Sequence, residues 1–199
     1  MTTSSRVTRM FMLLALASPL HGQGSEAAYH GIDEPTLSRL RADFYGASVS
    51  MEATLAAIAY MDSRFKGAIS SWPPIARAYR ASLEGLIGKH DWRLSEKFGR
   101  VNAALALYKD LAEEQPSSLE IRFMRYALYS QLPGLFGVGR QVKPDLEALF
   151  LLFERTGDDK VPLGQQLDMI DWLRRDGGLS SAERKRLDAA EIAVRTRGR

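Results

Sequence analysis

At 199 residues, with 45% apolar and 26% charged side chains, the chain has the balance of an ordinary globular protein and room for one compact domain. The absence of cysteine removes disulfides, thiolate metal sites, iron–sulfur ligation and cysteine nucleophiles together. A formal charge of +3 gives no clustered cationic face, so nucleic acid is not an expected partner.

Met1 to Gly24 reads as a secretory leader. Arg6 and Arg9 supply the positive start, Met10 through Leu20 the apolar stretch, and Gly22-Gln23-Gly24 the small residues before a cut after Gly24. The stretch falls short of the about 20 apolar residues that a spanning helix needs, so no transmembrane domain is expected after leader cleavage. The expected location is periplasmic or secreted, the alternative being an uncleaved N-terminal anchor. Losing Arg6 and Arg9 takes the 27 cations to 25 against 24 carboxylates, a net of +1.

From residue 25 onward apolar residues recur at spacings of three and four, with no alternating run, and the expected fold is all-α in a single domain over 25–199. Asp33 caps a first helix with Pro35 in its first turn and Leu37, Leu40 and Phe44 along one side; Gly46 ends it. Ser50 opens a second, with Leu55, Ile58 and Met61 as its stripe. A third covers Pro74 to Lys89, where Gly85 marks close helix contact. A longer fourth runs from beyond Trp92 to about Gln115 through Phe98, Val101, Leu105, Tyr108 and Leu111, and Pro116 closes it.

Ser117 with Glu120 then makes a capping box for a fifth helix, Leu119 to Leu132, striped by Ile121, Met124, Leu128 and Leu132. Pro144 and Asp145 start the next, whose Leu146, Leu149, Phe150, Leu152 and Phe153 cover a wide arc and suggest a central position. Pro162 opens a helix through Leu167, Ile170 and Leu173, stopped by Gly177-Gly178. Ser180 and Glu183 form a second capping box before a terminal helix, whose excess of arginines suits a solvated last turn.

Short helices joined by short loops must stack in antiparallel pairs, as a short solenoid or a compact helical bundle. Ala104, Tyr108, Leu111 and Pro116 follow the small, aromatic, apolar and proline series of the second helix of a tetratricopeptide unit, without that unit's Trp-Leu-Gly-Tyr pattern before it. Ala78-Tyr79-Arg80-Ala81 through Lys89-His90, then Glu120-Ile121-Arg122-Phe123-Met124-Arg125 and Leu132-Pro133, extend a likeness over about residues 72–155. Across that span the chain resembles uncharacterised exported bacterial proteins with tetratricopeptide-like helical pairs. The resemblance implies fold and location, and no catalytic residue.

Arg122, Arg125 and Tyr129 stand at i, i+3 and i+7 on one helix face, as Arg77, Arg80 and Glu84 align on another. If both faces line one concave surface, these six residues are the candidate partner-binding set, their guanidinium forks suited to a peptide carboxylate. The competing reading pairs Arg122 or Arg125 with Glu84 or Glu120 to fasten adjacent helices. Gly134, Gly137 and Gly139 with Arg140 and Lys143 fit neither phosphate fingerprint and read as a connecting loop. His30 with Asp33 and His90 with Asp91 lack ligand spacing, so no metal or cofactor is expected. Asp168 and Asp171, one turn from Arg174 and Arg175, read as a solvated ion-paired face, and Trp72, Trp92 and Trp172 as packing residues. The function this supports is an exported scaffold or adaptor that binds a protein or peptide without catalysis. The alternative is an envelope enzyme with an interhelix pocket using His90, Glu84 and Arg122.

Overall fold

A computed structural model describes residues 23–156 and 159–197. Among the described residues there are nine α-helices and no strand: α1 Gln23–Tyr29, α2 Glu34–Ala47, α3 Met51–Arg64, α4 Pro74–His90, α5 Leu94–Glu114, α6 Leu119–Tyr129, α7 Gly139–Leu151, α8 Leu163–Asp176 and α9 Ser181–Arg197. None is long and apolar enough to cross a membrane. The leader lies outside the described residues except for Gln23 and Gly24, which open α1. A cut after Gly24 would leave the last five of its seven residues.

Local capping chemistry sets the starts of α2, α3, α6 and α9. The Asp33 carboxylate accepts from the Thr36 backbone N–H at 2.8 Å, and Ser50 accepts from that of Ala53 at 3.2 Å. Ser180 and Glu183 satisfy each other in both directions, the carboxylate accepting from the Ser180 N–H at 2.7 Å and the hydroxyl from the Glu183 N–H at 3.3 Å. The box expected at Ser117 does not form. Ser118 is the cap, accepting from the Ile121 N–H at 3.4 Å, and Glu120 turns into the protein.

Two other boundaries depart from the sequence pattern. α7 begins at Gly139, so Pro144 lies inside it, and Asp145 is fully buried between Arg122 and Arg125 instead of capping. On α3 the buried positions are Thr54, Ala57 and Met61, while Leu55 is 51% exposed. The Thr54 hydroxyl lies 2.9 Å from the Ala47 carbonyl and 2.8 Å from that of Ser50, which satisfies it in the core, while Ile58 packs partly buried.

Hairpins α2–α3, α4–α5, α6–α7 and α8–α9 pack side by side, each helix touching chiefly its sequence neighbours. One core holds Leu40, Met61, Ile75, Tyr79, Tyr108, Ile121 and Met124; a second holds Leu119, Tyr126, Leu149, Phe150, Phe153, Ile170 and Leu173. α6 contributes to both, through Ile121, Met124 and Tyr129 on one side and Leu119 and Tyr126 on the other. The central helix is therefore α6; α7, expected there from its wide apolar arc, gives its buried residues to the second core alone. Gly85 lets α4 approach it, since a Cβ there would meet Leu128 Cδ1 at 2.8 Å.

Trp72 is buried and Trp172 packs edge-on against Phe123, ring centroids 5.5 Å apart. Trp92, expected to pack as well, is 88% exposed in the α4–α5 connection, where the Asp91 carboxylate accepts from the Arg93 backbone N–H at 2.8 Å and from its guanidinium at 2.9 Å.

Candidate functional site

The first helices of the four hairpins leave a groove of about 1260 Å³ between them. Its floor is one face of α6 continued into the following turn: Glu120, Phe123, Met124, Ala127, Leu128, Gln131 and Leu132 recur at helical spacing. α4 supplies one wall through Ser82, Gly85, Leu86 and Lys89, and α8 the other through Gln165, Asp168, Met169 and Trp172. Leu94, Lys97 and Phe98 from the start of α5 close the far end together with Leu135 and Phe136. Phe136 stacks on Phe98 with ring centroids 5.3 Å apart, so the glycine-bearing connection lies against α5. The walls differ in charge. Lys89 and Lys97 stand on the α4–α5 side, while Asp168, Asp171 and Asp176 with Arg175 stand on the α8 side.

At the near end lies a buried carboxylate. Glu120 has no exposed surface, and Arg41 donates to both its oxygens, Nε to Oε1 at 3.1 Å and an Nη to Oε2 at 2.8 Å. Tyr29 donates to Oε2 at 3.0 Å, Gln165 to Oε1 at 2.8 Å, and Tyr79 to Oε1 as well. A carboxylate offers about four lone-pair directions, and every one of these is occupied. Side chains from α1, α2, α4 and α8 thus meet on one residue of α6. Burial alone would lower the pKa of Arg41, but the hydrogen bonds and charge of Glu120 raise it above the usual arginine value. Burial, then the Glu120 charge, push the Tyr79 hydroxyl well above its ordinary range, so it stays a donor.

The six residues chosen from sequence lie elsewhere and form separate ion-paired sets. Arg77 pairs with Glu114 at 2.9 Å; Arg80 pairs with Asp62 at 2.8 Å and with Glu84 at 2.9 Å; Glu84 also takes Arg100 at 3.0 Å. Arg122 and Arg125 both pair with Asp145, at 2.8 and 2.6 Å, and the Arg125 guanidinium lies over the Tyr129 ring at 5.6 Å. Helix fastening is what these contacts do, with Asp145 in the place expected of Glu84 or Glu120. His90, Glu84 and Arg122 do not form one pocket: the His90 ring is 3.0 Å from the Ala47 carbonyl, and the other two are held as above. Among the described residues no three His, Asp or Glu side chains converge as metal ligands.

What sequence reasoning missed is the α6 groove face and the Glu120 node. The signal for the face was present, because Phe123 and Ala127 lie off the stripe through Ile121 and make α6 apolar over a wider arc than one neighbour covers. No family model, curated protein or solved structure matches the chain.

Proposed function

We propose that the chain is an exported helical scaffold or adaptor, acting in the periplasm or outside the cell, that holds a segment of a protein or peptide partner in the α6 groove and performs no catalysis. The observation that carries this is the groove floor itself: Phe123, Ala127, Leu128 and Leu132 stay partly exposed along it, between α4 at Gly85 and α8 at Trp172, with Met124 buried beneath them. At about 1260 Å³ and open along one side, the groove exceeds the about 300–1,000 Å³ of ordinary small-ligand pockets. Glu120 has its lone pairs engaged by structural donors, which suits an anchor for the groove wall and not a proton acceptor.

The arrangement of hairpins supports a tetratricopeptide-like reading. α2, α4, α6 and α8 line the groove together with the start of α5, whose Ala104, Tyr108 and Leu111 farther along are fully buried. Stacked hairpins of this kind characteristically recognise partners through the concave face of their first helices.

A photo-crosslinking side chain at position 127, on the groove floor, is expected to join the mature chain to a defined partner in its native compartment. The same group at position 55, on the outer face of α3, is expected to give none. Ala127→Trp, which fills the floor, should abolish the crosslink from position 131, an exposed groove residue, while circular dichroism stays helical. Equal labelling from positions 127 and 55 would remove the proposal. For the location, the intact mass of the exported chain should correspond to a start at Ser25.

A further inference from the structure

We infer that the occupant of the groove is an amphipathic α-helix of a partner protein, carrying cationic residues along the edge that meets α8 and anionic residues along the edge that meets α4 and α5. This rests on the groove reading above and adds the occupant's conformation and polarity.

The backbone chemistry of the floor decides the conformation. Floor and walls are α-helices, whose N–H and C=O groups are spent within their own turns, so they offer no ladder of donors and acceptors to a guest chain. An extended segment lying there would bury its own peptide groups without partners. A helix brings those groups already satisfied. Its side chains meet a floor of matching period, in which Phe123, Ala127 and Leu128, partly exposed, and the exposed Gln131 follow the i, i+4, i+5, i+8 rows that another helix packs against, and Ala127 is a small residue at mid-floor. The floor runs from Glu120 to Leu132, about twelve residues at about 1.5 Å rise, which matches about three turns of guest helix.

Charge fixes its edges. The α8 rim carries Asp168, Asp171 and Asp176, of which Asp171 pairs with Arg174 at 3.0 Å and Asp176 with Arg175 at 3.5 Å, so the charge open to a guest centres on Asp168. Asp168 accepts from the Tyr45 hydroxyl at 3.3 Å, an uncharged donor, and forms no ion pair among the described residues. The facing rim carries Lys89 and Lys97 and no carboxylate that lines the groove. A guest with basic residues on one flank and acidic residues on the other satisfies both rims in one orientation and sets like charges together when reversed.

The test is selection of binders to the mature chain from a displayed library of random fourteen-residue peptides. Enriched sequences are expected to show apolar residues at i, i+3, i+4 and i+7, with Lys or Arg on one flank and Asp or Glu on the other, and to lose binding to the Ala127→Trp chain. Exchanging the rims in a Lys97→Asp, Asp168→Lys double variant, both at the surface, should shift preference toward flank-swapped peptides by about tenfold. Enriched sequences with a period of two, or with no periodicity, or no enrichment at all, would overturn the helical occupant while the crosslink from position 127 still stood for the groove. Binders indifferent to the rim exchange would overturn the assigned polarity. Binders indifferent to Ala127→Trp would remove the groove as their site.

Discussion

Glu120 is the side chain on which the near end of the groove depends, and its energetics are those of a buried ion with every donor in place. Breaking such a pair from one side leaves the other charge desolvated, which costs about 3–5 kcal/mol. Glu120→Gln is therefore expected to lower stability in urea by about that amount, and Tyr79→Phe by about 1.5–3 kcal/mol through loss of one bond to a charged acceptor. Replacing both charges, Arg41→Met with Glu120→Leu, should recover much of the loss, because no orphaned ion remains. A single-variant cost under about 1 kcal/mol would show that the node does not hold the groove wall. Sequence spacing pointed to Glu120 as the far half of a capping box. The reason it mattered lay 91 residues away in Tyr29 and 79 residues away in Arg41, and no local pattern encodes such a meeting.

Helices were legible from sequence where their ends are settled by neighbours in the chain. Asp33, Ser50 and the Ser180–Glu183 box each act within three residues, and their helices begin where expected. The start of α7 was not legible, because Asp145 is drawn inward by Arg122 and Arg125 from another helix, and the proline at 144 is tolerated early in α7. On α3 Met61 is buried and Ile58 packs against the core as expected, while Thr54 takes the place expected of Leu55, its hydroxyl donating to the Ala47 carbonyl across the α2–α3 turn. The α4–α6 contact gives a prediction at this scale. Gly85→Ala places a methyl 2.8 Å from Leu128 Cδ1, so either that side chain leaves its rotamer or the helices part, at a cost of about 1–3 kcal/mol. In a Leu128→Ala background the same change should be nearly neutral, and a double-mutant cycle by thermal denaturation measures the difference. For α9, Ser180→Ala should cost about 1 kcal/mol through loss of the cap.

Across the whole molecule, the titrating groups narrow the pH range in which the hairpins stay stacked. On the acid side, hydrogen bonds from Ser180 hold Glu183 below the usual carboxylate range, bonds from Arg174 and Arg195 do the same to Glu191, and bonds from Thr36 and then Arg64 do so to Asp33. A depressed folded-state pKa means the unfolded chain takes up the proton first as pH falls. The stabilisation from these groups is thus complete above about pH 5 and lost as pH drops through and below about 4. On the alkaline side the sign is set by tyrosines. Burial raises Tyr79 and Tyr108, and burial followed by the Glu183 charge pushes Tyr126 up to about 12. Unfolded tyrosine ionises near about pH 10, so above that value the unfolded state sheds protons that the folded state keeps, and stability falls as pH rises. Urea midpoints measured across pH should therefore form a plateau between about 5 and 9 with a decline on each side. Glu191→Gln should flatten part of the acid limb and leave the alkaline limb in place, whereas Tyr126→Phe should do the reverse. A plateau extending unchanged to about pH 11 would mean that the buried tyrosines reach solvent without unfolding, which the double core around α6 does not permit.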